Sequence, residues 1–191
     1  MTKAILETTD KNQSMFLKMQ QIDVEIEGLK PYISNQFVSI EDKDISASKK
    51  IKIQDGKIII DSDRIMAFLI ANNPKTPAGC IKLFTDSKKY KAIIPKAEAY
   101  IGIDPRIIPI SSNDKYVIRE DKVGGGGVPQ MVKRPMVEKW GAKFKINLIE
   151  NPDITFDRLR GWFERGGIEV GLGAWRPRYG QFIVKKFETI K

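Results

Sequence analysis

Trp175, Arg176, Arg178 and Tyr179 fall within five residues of one another, inside the run Gly166-Gly-Ile-Glu-Val-Gly-Leu-Gly-Ala-Trp-Arg-Pro-Arg-Tyr-Gly180. Glycine lets backbone amides come close to a ligand. Guanidinium groups bind phosphate in a planar fork, and flat rings stack on bases. The chemistry these types predict is recognition of a polyanion carrying planar groups. Arg176 and Arg178 flank Pro177, which limits the backbone between two cations. A second basic segment, Lys133-Arg134, leads to Trp140, and Lys143 and Lys145 continue the charge along one face of a strand-like run. We read Lys133, Arg134, Lys143, Lys145, Trp175, Arg176, Arg178 and Tyr179 as nucleic-acid-binding residues. A third cluster, Lys88, Lys89, Lys91 and Lys96 around Tyr90, reads as a solvated hairpin tip.

Several chemistries are excluded. The glycines at 166, 167, 171, 173 and 180 follow a helix-like run and precede a strand-like one. A dinucleotide fingerprint has the reverse order, and no Gly-Lys-Ser/Thr of a phosphate-binding Walker loop occurs. The chain has no histidine and one cysteine, Cys80. That removes His-dependent triads and the usual zinc ligand sets. Cys80 sits among apolar residues and reads as a small buried hydrophobe. The acidic residues of Glu41-Asp-Lys-Asp44 and Asp61-Ser-Asp63 read as solvated turns, so no metal or other cofactor is predicted.

At 191 residues the chain is long enough for one sizeable core, and 41% hydrophobic with 30% charged residues is ordinary for a globular protein. The net charge is +9, and residues 131–191 carry thirteen Lys/Arg against seven Asp/Glu. Two-thirds of the excess therefore lies in the last third of the chain, which favours a polyanionic partner over a uniformly solubilising charge. No apolar run approaches the roughly 20 residues of a membrane span. With no signal-like segment and no possible internal disulfide, a cytoplasmic location and no membrane partner are predicted.

The elements that must position these residues follow from periodicity. Residues 1–20 read as a partly mobile segment, and 21–191 as one domain. Ile22, Val24 and Ile26 alternate with acids, which marks a half-buried strand ended by Gly28 to Pro31. Lys57 to Ile60 is a short strand. Asp61 or Ser62 caps a helix with Arg64 to Ala71 as its body. Residues 80–84 and 91–94 read as a β-hairpin. Residues 98–101, 106–110 and 116–119 read as further extended pieces. Gly124, Gly125, Gly126 and Gly127 form a flexible loop near 123–129. Lys143 to Leu148 alternates as a strand. Asp153 or Thr155 caps a helix whose buried face is Phe156, Leu159, Trp162 and Phe163, with Gly166-Gly167 as a left-handed end. A closing strand follows from Gln181. Two such β-α-β halves predict an α+β fold: a ferredoxin-like antiparallel sheet with helices on one face and long loop insertions.

Three stretches taken in order carry a resemblance: Ile22-Asp-Val-Glu-Ile-Glu-Gly-Leu-Lys-Pro31, Arg134-Pro-Met-Val-Glu-Lys-Trp-Gly-Ala-Lys-Phe144 and Gly171-Leu-Gly-Ala-Trp-Arg-Pro-Arg-Tyr-Gly-Gln-Phe182. They resemble the RAMP superfamily, the RRM-like crRNA-binding backbone subunits of CRISPR effector complexes. They are also similar to small phage-encoded relatives with a Gly-x-Trp-Arg-Pro type of motif. The resemblance implies a modified ferredoxin-like (RRM-like) fold, single-stranded RNA or DNA along the protein, and head-to-tail stacking into an oligomer or filament. It also implies that Gly124 to Val128 is a finger reaching the next subunit or the strand. The chain departs from nucleolytic relatives in having no histidine and no isolated loop aspartate, which argues against an enzyme. The alternative is a phage anti-defence protein that mimics such a subunit within a host or phage protein complex, or sequesters a nucleotide signal. A carboxylate-based nuclease is a third reading.

Overall fold

The structure, a computed structural model, describes residues 19–35, 47–74, 77–86, 88–110, 115–123 and 130–190. Residues 1–18 and the glycine run 124–127 lie outside these. Met19 and Gln20, placed by sequence in the N-terminal segment, already belong to the first strand.

The central sheet has the order β10-β1-β9-β5, built from β1 (Met19–Gly28), β5 (Ile101–Asp104), β9 (Gly141–Ile149) and β10 (Phe182–Thr189). Every neighbouring pair is antiparallel. Helices α1 (Ser62–Ile70), α2 (Cys80–Phe84) and α3 (Tyr90–Tyr100) lie between β1 and β5 in sequence, and α4 (Phe156–Glu169) between β9 and β10. This is the ferredoxin-like, RRM-like α+β arrangement, as the two-half reading predicts. Alternation sets the sheet's faces. Ile22, Val24 and Ile26 of β1 and Ala142, Phe144, Ile146 and Leu148 of β9 are buried, while Lys143 and Lys145 are exposed. The helices cover the apolar face, and Phe163 of α4 packs its ring against Phe68 of α1, Phe144 and Phe187.

Thr155 caps α4: its Oγ1 accepts from the Arg158 amide at 3.3 Å. Thr155→Ala is therefore expected to cost about 1 kcal/mol, read as a fall in the urea midpoint at unchanged slope.

The two insertions form smaller sheets. The first insertion carries β2 (Tyr32–Ile33), a 3-10 turn at Ala47–Lys50, and β3 (Lys52–Gln54) and β4 (Lys57–Asp61). The turn between β3 and β4 is Asp55-Gly56, both at positive φ, the pair such two-residue hairpins favour. The second carries β6 (Ile107–Pro109), β7 (Val117–Val123) and β8 (Gln130–Val137). They pair as β3-β4-β6 and β2-β8-β7.

Three sequence readings need correction. Residues 80–84 and 91–94 are not a hairpin but α2 and part of α3. Short apolar runs do not distinguish strand from buried helix, and Pro95 sits inside α3 because Ile93 and Ala97 anchor that helix in the core. Residues 98–100 belong to α3, so the extended stretch begins at Ile101. Gly166 and Gly167 do not end α4; the helix runs to Glu169, and Gly171 takes the left-handed φ of 71°. The two glycines serve close packing instead. A Cβ on Gly166 would lie 2.3 Å from Cys80 Sγ, and one on Gly167 would lie 2.4 Å from the Phe182 carbonyl oxygen.

Candidate nucleic-acid interface

One short segment, Pro31 to Ser34, holds two structures together. β8 pairs with β2 through Val137 and Met136, and the Ser34 amide donates to the Pro135 carbonyl. From the other side, the 171–180 loop is fastened to the same segment. The Gly180 amide donates to the Pro31 carbonyl and the Ala174 amide to the Ile33 carbonyl, both at 2.8 Å. The β7–β8 hairpin and the C-terminal loop are thereby set face to face.

Their contact is a stack of cations and rings. In the hairpin register Arg119 lies opposite Arg134. The Arg134 guanidinium sits 4.3 Å from the centre of the Trp175 ring, and the Arg119 guanidinium 5.2 Å from that of Tyr179. Arg178 approaches Tyr179 at 5.5 Å, and the two rings are 6.1 Å apart. Cation–π contacts of this kind contribute roughly 0.5–2 kcal/mol each. Trp175 holds a φ of 57°, a left-handed conformation that a bulky residue adopts only where its surroundings enforce it. The hydrogen bonds of Ala174 and Tyr179 on either side, and the Arg134 stack, provide that enforcement.

The charges within this cluster are unequally satisfied. Arg119 donates to both carboxylate oxygens of Asp121, from Nε at 2.5 Å and Nη2 at 3.1 Å. Arg134 has no carboxylate partner among the described residues, and its buried Nε has no hydrogen-bond acceptor. Burial holds the Arg134 and Arg176 guanidinium groups below the usual arginine range. Arg178 and Pro177 are exposed, Trp175 is half-buried, and Tyr179 is buried.

The residues singled out from sequence separate into three sets. Arg134, Trp175, Arg178 and Tyr179 come together in the cluster. Arg176 turns inward, donating to the Gly171 and Pro77 carbonyls, and so fastens the loop to the chain preceding α2. Lys133, Lys143 and Lys145 lie elsewhere, and the first two are neutralised by carboxylates. Lys133 pairs with Glu120 on the other face of the hairpin, Lys143 pairs with Glu25 at 3.1 Å, and Lys145 reaches Gln21 at 3.5 Å. The open face of the central sheet alternates in charge throughout, since Lys185 and Lys186 of β10 pair with Glu27 and Asp23. The basic stripe on β9 is therefore broken at Lys143, which Glu25 of β1 neutralises.

The glycine-rich loop also works differently from the sequence reading. Its amides at Gly171, Leu172, Ala174, Tyr179 and Gly180 are spent on carbonyls of the protein itself. The loop is a rigid platform for side chains rather than an amide cradle. Lys89, Lys91 and Lys96 belong to α3 and its approach, and Lys96 pairs with Asp153. Cys80 is fully buried, and burial pushes its thiol far above its ordinary range against the opposing charge of Arg176.

Sequence reasoning missed Arg119 and Asp121. Arg119 was visible as a charge within an extended run, but no local signal fixes its register against Arg134 across the glycine-rich connection.

The ionic state of the cluster predicts its pH behaviour. The hydrogen bond from Arg119 holds the Asp121 carboxyl below its usual value, with the charges of Arg119 and Arg178 adding to it. A depressed carboxylate pair is complete above the ordinary value of about 4 and is lost only as pH falls through the lower folded value. With no histidine in the chain, ligand affinity is expected to stay flat from pH 6 to pH 8 in anisotropy titrations. A transition inside that window would contradict this assignment.

No family model matches the chain, and no curated protein matches it. Among solved structures the chain is similar to a chain of the cryo-EM structure of the Type III-B Cmr-beta bound to cognate target RNA. The TM-score is 0.58 at 16% identity, over 92% of this chain and 62% of that one. The likeness is one of fold, and this chain spans under two-thirds of its neighbour's length. Among the described residues no helix is long and apolar enough to cross a membrane.

Proposed function

We propose that the protein binds single-stranded nucleic acid, without catalysis, along the edge where the β7–β8 hairpin meets the 171–180 loop. The observation that carries the reading is the cluster itself: Arg119, Arg134 and Arg178 around Trp175 and Tyr179, with Asp121 the one carboxylate paired within it. Guanidinium groups held by rings keep their planes fixed, which suits them to phosphodiester oxygens. The fold likeness supports RNA as the ligand, because the assembly containing the similar chain is bound to target RNA. The relation to the RAMP superfamily is part of the same proposal, resting on that likeness and the sequence resemblance together.

The reading extends to an oligomer. Ile118 and Met131 are exposed on the hairpin, where a second copy would cover them.

The test is fluorescence anisotropy with labelled single-stranded RNA and DNA of about 20 nucleotides, over a salt series. Binding whose log K falls by roughly 0.7 per phosphate, for about two phosphates at this cluster, supports the reading. Absence of binding to either strand at 50 mM salt would overturn it. Molecular mass measured across protein concentration tests the oligomer separately.

A further inference from the structure

We infer that Arg119 and Arg134 form a phosphate seat in which the Asp121 carboxylate is a resident anion, displaced when a phosphate group of the ligand arrives. This deepens the proposed function and rests on it. It adds Arg119 as a binding residue and gives Asp121 a role opposed to binding.

Four observations support it. First, the hairpin register sets two arginines, Arg119 and Arg134, directly opposite each other on one face, and like charges so paired destabilise a sheet unless an anion compensates. Second, the anion present is Asp121, two residues along the same face of β7, and it takes two donors of Arg119. Third, the partner cation is left incomplete: Arg134 Nε is buried without an acceptor among the described residues, and a buried unsatisfied donor is costly to leave. Fourth, both rings already carry guanidinium groups. Trp175 carries Arg134, while buried Tyr179 lies against Arg119 and Arg178. The seat itself offers guanidinium N–H donors, so the group it accepts is the phosphate, with its several acceptor oxygens.

Asp121 suits such a role. Its side chain and that of Arg119 remain partly exposed, at 24% and 33%, so an incoming anion reaches the pair without unfolding the hairpin. A phosphate bridging Arg119 and Arg134 takes the donors now held by Asp121 and meets the half-buried Arg134 side chain where it is accessible. Asp121 thus raises the threshold for weak anions while leaving a polyanion able to compete.

The experiment compares the wild type with Asp121→Asn, an isosteric change that keeps an acceptor for Arg119 and removes the competing charge. Oligonucleotide affinity at 50 mM salt is expected to rise about three- to tenfold, with the salt slope steeper by roughly 0.7, one further released counterion. Equal or weaker binding by Asp121→Asn, while Arg134→Ala still impairs binding, overturns the resident-anion role and leaves the nucleic-acid reading standing. If neither variant differs from the wild type, the interface itself is misplaced. A second measurement does not depend on an oligonucleotide. Titration with inorganic phosphate, followed at the Arg119 and Arg134 Nε–H resonances, should saturate at several-fold lower phosphate in Asp121→Asn. Identical curves, or no shift at either resonance, overturn the seat. A mononucleotide run alongside separates the two sources of phosphate: an oligonucleotide that outcompetes it at equal phosphate concentration identifies the strand as the ligand, and parity identifies the free nucleotide.

Discussion

Arg134→Ala is expected to weaken single-stranded nucleic-acid binding by about 10- to 100-fold. A charge-assisted hydrogen bond to phosphate contributes roughly 1.5–3 kcal/mol, and each 1.4 kcal/mol is a factor of ten. Arg134 is half-buried and, unlike Arg119, has no carboxylate partner among the described residues, so it has more to gain from a ligand. Trp175→Ala should follow with a smaller loss, about 5- to 30-fold, because the ring fixes the plane of that guanidinium at 4.3 Å. Arg134→Lys separates charge from geometry. It keeps the cation but loses the flat stack, so the salt slope should persist while affinity falls. Lys143→Ala serves as the control, since that lysine is already paired with Glu25. If Lys143→Ala weakens binding more than Arg134→Ala, the ligand runs over the sheet face and the assignment is wrong.

Gly180→Ala is expected to destabilise the fold by about 3 kcal/mol. Gly180 has a φ of 70°, where an L-residue costs roughly 1–2 kcal/mol, and its Cβ would lie 1.7 Å from the Leu172 carbonyl oxygen. Relieving that overlap moves backbone and adds a further 1–3 kcal/mol or so. At this chain length the melting temperature should fall by roughly 6–12 °C. The Leu172 amide donates to the Gly180 carbonyl and the Gly180 amide to that of Pro31, tying the loop to itself and to Pro31, so binding should weaken along with stability. An unchanged melting temperature would mean that the loop closes in some other way.

These two effects show how much was legible beforehand. The ferredoxin-like sheet could be read because β1, β9 and α4 alternate in hydrophobicity over whole elements, as Ile22, Val24 and Ile26 do against their acidic neighbours. The α2–α3 region could not: Cys80–Phe84 is too short to show a helical period, and Ile93 and Ile94 favour either structure. The interface was half legible. Trp175 and Arg178 announced themselves by type, and Arg134 by its neighbourhood. Charge alone could not tell that Lys133 and Lys143 would meet carboxylates from other strands, because ion pairing across strands depends on register. It could not tell that Arg176 would turn to the Pro77 carbonyl, 99 residues away in sequence. The glycines misled most. Gly166 and Gly167 resembled a helix end, whereas their lack of a side chain lets α4 sit against Cys80, Phe68 and Phe182.

The sheet-face charges point the same way. A sheet whose open face pairs Asp23, Glu25 and Glu27 with lysines offers little net field to a polyanion. The hairpin edge, with three guanidinium groups against one paired carboxylate, offers a concentrated one.

Photocrosslinking of a bound single-stranded RNA, with the attached peptides identified by mass spectrometry, tests the location of the interface most directly. Crosslinks are expected in β7, in β8 and in residues 174–179. Crosslinks confined to the face carrying Lys143, Lys145 and Lys186, with none at the hairpin or the loop, would contradict it.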